Sequence, residues 1–230
     1  MINASLDSCL SFINSQTAPA AHAAATGVRR AVTISRQAGC GAVLVAEKLA
    51  DYLQQHSPAQ SPPWTVFDRD LMNKVLADHN LPAHLEKFLP EDRVSAIEDT
   101  LADIFGVRPT SQTLVLQTAE TILKFAELGS VILVGRAGNI VTAKLPHVLH
   151  VRLVAPLDDR IERICRDDRK PPAEARKFCL EEEAARTRYL KTYYNADIND
   201  PLLYHLVINT SRVGCENTAR LIGEAVLRPG

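Results

Sequence analysis

Residues 32–51 read VTISRQAGCGAVLVAEKLAD, and three signals within them decide the kind of fold. The β-branched run Val32-Thr33-Ile34 has the character of a short buried strand. The chain then breaks at Ser35-Arg36 into a tight turn punctuated by Gly39 and Gly41. A helical pattern begins at once, with Val43, Ala46, Leu49, Ala50 and Leu53 on one stripe. Strand, glycine turn and helix together present several backbone N–H groups, and the positive end of a helix dipole, to an anion. The phosphate loop G-x-x-x-x-G-K-S/T has the same plan. Here Ala42 follows Gly41, so the lysine is missing.

Outward from this unit the chain keeps alternating. SPAQSPP at 57–63 is a loop, and Trp64 to Phe67 is a second short strand ending at Asp68. Residues 69–80 have a helical pattern, and Pro82 and Pro90 bracket a short helical piece. Glu91-Asp92 start a further helix that runs through Val94, Ile97, Leu101 and Ile104 to Gly106. Thr110 or Ser111 caps a longer helix to Leu128, which Gly129 terminates. Val131-Ile132-Leu133-Val134 is a continuous apolar run, as a central parallel strand requires. Val148 to Val154 is a fourth strand, and Pro156 opens an arginine-bearing helix. A long helix from about Ala173 to Tyr194, a fifth strand at Leu206-Val207-Ile208 and a closing helix from Glu216 to Leu227 complete the chain.

This order predicts an α/β fold: a five-stranded parallel sheet with helices on both faces. The stretch between strands two and three is too long for a simple crossover. It predicts a helical insert, about 69–128, beside the carboxyl edge of the sheet. Residues 1–27 stand apart from the domain at 28–230. They read as a short amphipathic helix (Leu6, Leu10, Ile13) and an alanine-rich linker. That helix is either a segment that packs on the core or on a partner, through which the chain would oligomerise, or a poorly ordered end.

At 230 residues, 46% hydrophobic and 23% charged, the chain fits one globular domain. A net charge of −1 argues against the pervasive basic surface of a general nucleic-acid binder. Five cysteines, odd in number and without paired spacing, read as reduced intracellular thiols. They indicate neither a disulfide framework nor a zinc site, and no protein metal site is expected. No apolar run approaches the roughly 18 residues that span a bilayer. The N-terminus has no basic region before an apolar stretch. The expectation is a cytoplasmic protein without a membrane partner.

Three groups of residues carry possible chemistry. In the turn, Gly39 and Gly41 permit φ > 0 and close backbone approach. Cys40 beside them is either a buried small apolar residue or an oxidation-sensitive thiol at a helix start. Arg136, just past a buried strand in VILVGRAG (131–138), projects into the crevice where open α/β sheets bind ligands, or pairs with an acid at the surface. Arg160, Arg163, Arg166 and Arg169 repeat at i+3 among Asp158, Asp159, Glu162, Asp167 and Asp168. They form either a solvated face or a set of bidentate phosphate ligands. Pro171-Pro172 breaks that helix, and residues 166–178 are expected to be a hinged lid.

Five motifs stand together in this chain: VTISRQAGCG at 32–41, VFDRDLM at 66–72, VGRAGNIV at 134–141, VRLVAPLDDRIERI at 151–164 and DPLLYHLVINT at 200–210. In their order and spacing they resemble the cytidylate kinase-like family, a branch of the nucleoside monophosphate kinases with a P-loop kinase fold. The resemblance implies that Ser35, Arg36, Gly39, Cys40, Gly41 and Ala42 cradle the phosphates of a nucleoside triphosphate. It places Asp68 at the start of the monophosphate-binding insert, and Lys74 about where cytidylate kinases put an arginine on the monophosphate. Arg136 matches the arginine of a G-R-D motif that holds the acceptor. Arg160 and Arg163 match arginines at the base of the lid, and Arg186 one that returns from its far side. The departures are Ala42 for the loop lysine, Val43-Leu44 where a hydroxyl would help seat magnesium, and Ala137 for the aspartate of G-R-D.

The resulting expectation is a phosphotransferase that moves the γ-phosphate of ATP, with Mg2+, to a nucleoside monophosphate or similar small acceptor. Arg36, Arg160, Arg163 and Arg186 would supply the catalytic charge, and Asp68, Lys74 and Arg136 would hold the acceptor. Ala42 and Ala137 favour an alternative, a nucleotide-binding regulatory module with little catalysis. A weaker third reading makes the arginine segment a surface for RNA or a partner protein.

Overall fold

The apolar runs on either side of the glycine turn become strands, because a parallel sheet covered on both faces buries almost every side chain it carries. A computed structural model describes residues 30–58, 61–68, 97, 100–104 and 113–228. The expected helix and linker of residues 1–27, the helical pieces over 69–96, Lys74 and the Thr110/Ser111 cap lie outside those residues. β1 (Ala31–Arg36), β2 (Thr65–Phe67), β3 (Val131–Val134), β4 (Val148–Val154) and β5 (Leu206–Asn209) form one sheet in the order β2-β3-β1-β4-β5. Every pairing is parallel. From β1 the chain crosses to the edge at β2, returns to β3 beside β1, then goes to β4 and β5 on the other side. The carboxyl end of β1 is therefore the switch point of the sheet, where such folds bind ligands.

The connecting helices are α1 (Ala42–Gln55), α2 (Thr113–Leu128), α3 (Gly138–Val141), α4 (Leu157–Asp168), α5 (Pro172–Tyr194), α6 (Thr210–Val213) and α7 (Cys215–Leu227). A 3-10 turn occupies Pro201–Leu203. On one face Val32, Ile34, Ile132, Val134, Val151 and Leu153 pack on α1 and α7. On the other, Ala31, Val131, Leu133 and Val148 pack on α2, where Phe67 and Phe125 sit 4.1 Å apart between ring centroids. The two layers follow from the period of two along each strand. α1 and α7 approach closely because Gly223 leaves room for the Tyr52 ring, whose Cδ1 lies 2.3 Å from where a Cβ would stand.

Two local readings are corrected. β1 runs through Ser35 and Arg36 rather than breaking there, because both residues still pair with β4, Ser35 with Arg152 and Arg36 with Leu153. The buried stripe of α1 is Ala42, Val45, Ala46, Leu49 and Leu53, with Val43 55% exposed and Ala50 only half-buried. Ala46, Leu49 and Leu53 belong to both stripes; with Gly41 as N-cap the helix starts at Ala42, and Ala42 and Val45 face the sheet where Val43 and Ala50 were expected. Residues 166–178 run through the end of α4, a turn at Arg169 with φ 56°, and the first turns of α5. Among the described residues no helix is long and apolar enough to cross a membrane.

Candidate phosphate-binding site

The turn after β1 is held from outside by its carbonyl groups. Gln37 N–H donates to Leu153 O at 3.0 Å, keeping the start of the turn against β4. Ala38 O then accepts from Arg160 Nη1 (3.2 Å), Gly39 O from Arg163 Nη1 (3.0 Å) and Cys40 O from Thr210 Oγ1 (2.9 Å). With three successive carbonyls fixed by α4 and α6, the amides are left for another partner. Among the described residues no backbone N–H from 38 to 44 donates to another group, and the first bond of α1 is Val45 N–H to Gly41 O. Open amides at a helix start form an anion cradle.

Both glycines are required by this packing. Gly39 (φ +77°) has Arg160 O 2.7 Å from where a Cβ would stand; Gly41 (φ +79°) has Cys215 Sγ at 2.8 Å and Arg163 Nη1 at 3.1 Å. Cys40 is 1% exposed, and burial pushes its thiol up to about 11. It is the buried small residue of the two readings, not an activated thiolate.

Beside the cradle, three arginines meet. The Arg36 guanidinium lies over Gly135, its Nη1 1.9 Å from a would-be Cβ. Arg36, Arg136 and Arg186 line a cavity of about 190 Å³, together with Val134, Glu182 and Tyr189. Arg186 Nη2 donates to Glu182 Oε2 at 2.7 Å, and its Nη1 lies 3.5 Å from Arg36 O. Among the described residues the Arg36 guanidinium makes no ion pair or side-chain hydrogen bond, and the Glu182 carboxylate that shares its cavity is engaged by Arg186. Burial, and then the charge of Arg186, pull its pKa down to about 10. The group stays charged at neutral pH but is held at an electrostatic cost that an anion would relieve. Arg136 reaches the crevice from a turn in which Gly135, Arg136 and Ala137 have φ of 93°, 55° and 58°. Left-handed backbone costs a non-glycine residue roughly 1–2 kcal/mol, a strain of the kind found at binding sites.

The other residues expected at the site are placed differently. Arg160 is 4% exposed and committed to Ala155 O (2.9 Å), Ala38 O and Glu183 (3.0 Å). It braces the turn and does not line the cavity. Arg163 braces the turn as well. Asp68 lies just past the end of β2, with β3 between β2 and β1, and is not on the cavity wall. Sequence reasoning missed Arg152, Asn199 and Tyr204. The legible signal was His150 and Arg152, two polar residues spaced by two in the otherwise apolar β4. Among the described residues no group of three or more His, Cys, Asp or Glu could hold a metal ion.

Open amides at the switch point of a doubly covered parallel sheet, flanked by converging arginines, form a geometry suited to an anion. The profile of the cytidylate kinase-like family matches residues 31–212, and the chain belongs to that family. Cytidylate kinase of Aeropyrum pernix is 36% identical over 80 residues, 35% of this chain and 46% of the relative. That of Methanopyrus kandleri is 36% identical over 109 residues (44% and 56%). That of Methanocaldococcus jannaschii is 31% identical over 106 residues (45% and 60%). The chain spans about half the length of the curated relatives it matches. Among solved structures, an uncharacterized protein from Eubacterium ventriosum shares the fold, with a TM-score of 0.65 at 18% identity over 86% of this chain and 98% of that one.

Proposed function

We propose that this chain is a nucleotide-dependent phosphotransferase moving the γ-phosphate of ATP to a nucleoside monophosphate or a similar small acceptor. The observation that carries the reading is the juxtaposition of open amides at 38–44 with the Arg36 guanidinium, which has no ion-pair partner of its own among the described residues. The amides and the start of α1 would take the donor's phosphates. The cavity lined by Arg36, Arg136 and Arg186 would take the acceptor, whose ring would lie against Tyr189 and Val134. Phosphoryl transfer is mostly positioning and charge neutralisation. Arg36 then supplies the charge that Ala42 does not, and Arg186 adds a second cation held by Glu182. Arg160 and Arg163 act through the loop, as positioning residues. Residues 42 and 43 offer no side-chain oxygen, so magnesium accompanying the nucleotide would be held by phosphate oxygens and water, neutralising charge there.

The relatives' name, cytidylate kinase, supports the reaction class, while Ala137 in place of aspartate leaves the acceptor base open. A coupled assay across the common nucleoside monophosphates tests the proposal. Turnover above that of Arg136→Ala is expected, and turnover no higher than that control overturns it. A second reading rests on Ala42 and Ala137: a nucleotide-binding regulatory module. Its signature is saturable ATP binding by calorimetry with no product.

A further inference from the structure

The face of β1 and β4 that carries Thr33 and Ser35, on the side of α2 and α3, departs from the rule for buried parallel strands. Register sets Thr33 opposite His150 and Ser35 opposite Arg152, a polar ladder where an apolar one is the norm. Thr33 and His150 satisfy each other at 2.9 Å. Arg152 is a different case. It is 5% exposed, with Nη1 donating to Ser35 Oγ (3.0 Å) and Nη2 to Asn199 Oδ1 (3.0 Å), and the Tyr204 ring lies 5.7 Å from Cζ. These partners are all neutral. Among the described residues no carboxylate forms an ion pair with Arg152. Two of its five N–H groups are used in the bonds to Ser35 and Asn199. A buried cation without a counter-charge is costly.

Arg152 lines a second cavity of about 190 Å³ with Arg36, Gln37, Arg186, Thr187 and Asn199. The carboxylate on its wall, Glu183, is already engaged by Arg160 at 3.0 Å. Three guanidinium groups therefore face a space whose negative charge is spoken for. A water occupies about 30 Å³, so the space suffices for a tetrahedral oxyanion.

We infer that this cavity is a second anion site, separate from the amide cradle of the loop, which takes a compact oxyanion of the phosphate or carboxylate type against Arg152. Arg36 and Arg186 line both cavities, so occupancy of one alters the charge felt in the other. The oxyanion is either a free ion or a second anionic group on the ligand of the neighbouring cavity. Phosphoryl transfer is not needed for this inference, and an inactive chain would leave it standing.

The test is calorimetric titration of the full chain with inorganic phosphate, with thermal melting alongside. Asn199→Asp keeps the acceptor for Arg152 and adds the missing carboxylate. That variant should fold with an undiminished melting temperature, lose phosphate affinity by about tenfold or more, and lose the upward shift that phosphate gives the wild type. Arg152→Gln should lose phosphate binding as well. Repeating the titration with a saturating nucleoside monophosphate assigns the source. Simultaneous binding identifies a free ion; displacement, together with weaker monophosphate binding by Asn199→Asp, identifies a group of the ligand itself. Wild-type affinity in Asn199→Asp, as expected for phosphate seated only on the loop amides, overturns the inference, as does a wild-type chain that binds no phosphate.

Discussion

Under the proposed function, Gly41 and Arg36 would divide the work of a phosphate loop in which Ala42 stands at the lysine position. Gly41 gives the backbone a φ of +79°, which an L side chain adopts only with strain, and it also makes room for Cys215 and Arg163. Gly41→Val should therefore cost about 2 kcal/mol or more of unfolding free energy, from left-handed strain and overpacking together. Urea denaturation measures the loss, and calorimetry should find triphosphate binding gone under conditions where the variant is folded. An unchanged urea midpoint would mean that the close approach around Gly41 is not real. Arg36 could be picked out from the sequence because it sits one residue past an apolar strand beside two glycines. Arg152 was harder to see. Its role depends on Asn199 and Tyr204, which are remote in sequence and come to it only through the crossover from β4 to β5.

Among the elements, α4 and α5 together clamp the loop. Arg160 on α4 holds Ala38 O and is itself held by Glu183 on α5. Glu183→Gln would leave a 4% exposed guanidinium without its carboxylate. Because the Glu183 side chain is 27% exposed, solvent screens part of the pair. The expected loss is about 1–3 kcal/mol, read by urea denaturation, with a weaker Michaelis constant for the triphosphate as the loop loosens. The strands and long helices were legible because apolar runs and helical periodicity are local properties. The end of β1 was not, since Arg36 looks like a turn residue until its pairing with Leu153 is known. The stripe of α1 was legible at Ala46, Leu49 and Leu53 but not in its first turn, where Val43, Leu44 and Val45 are all apolar and only packing selects Val45. The short helices α3 and α6 carry no periodic signal at four residues each. The roles expected of Arg160 and Arg163 came from the resemblance, which says nothing about which carbonyls those side chains reach in this chain.

For the molecule as a whole, His150 ties stability to pH. It is buried between Thr33 and the stacked ring of His205, whose centroid is 4.8 Å away. Burial first, and then His205, lower its pKa from 6.5 to about 4. The unfolded chain thus binds this proton more readily than the folded one. Stability contributed by neutral His150 is intact above pH 6.5 and is lost as pH falls toward about 4. The loss is on the order of 3 kcal/mol over that window. Chemical denaturation as a function of pH should show it, and His150→Gln should flatten the slope between those limits. An identical slope in the variant would assign the acid sensitivity to other groups. The strand order, which brings the loop, the arginine crevice and the Arg152 cavity to one edge, was inferable only as a class. Which strand lies beside which is decided by long-range packing, not by local pattern.

Under the proposed function Arg36 stands in for the absent loop lysine, and the most direct measurement of this compares turnover in the wild type and Arg36→Met with triphosphate affinity measured in parallel. Removing a cation aimed at the transferring group should lower kcat by roughly 10³, while the amides keep triphosphate affinity within about tenfold of the wild type. Equal turnover in the two chains, with acceptor and donor saturating, would contradict it.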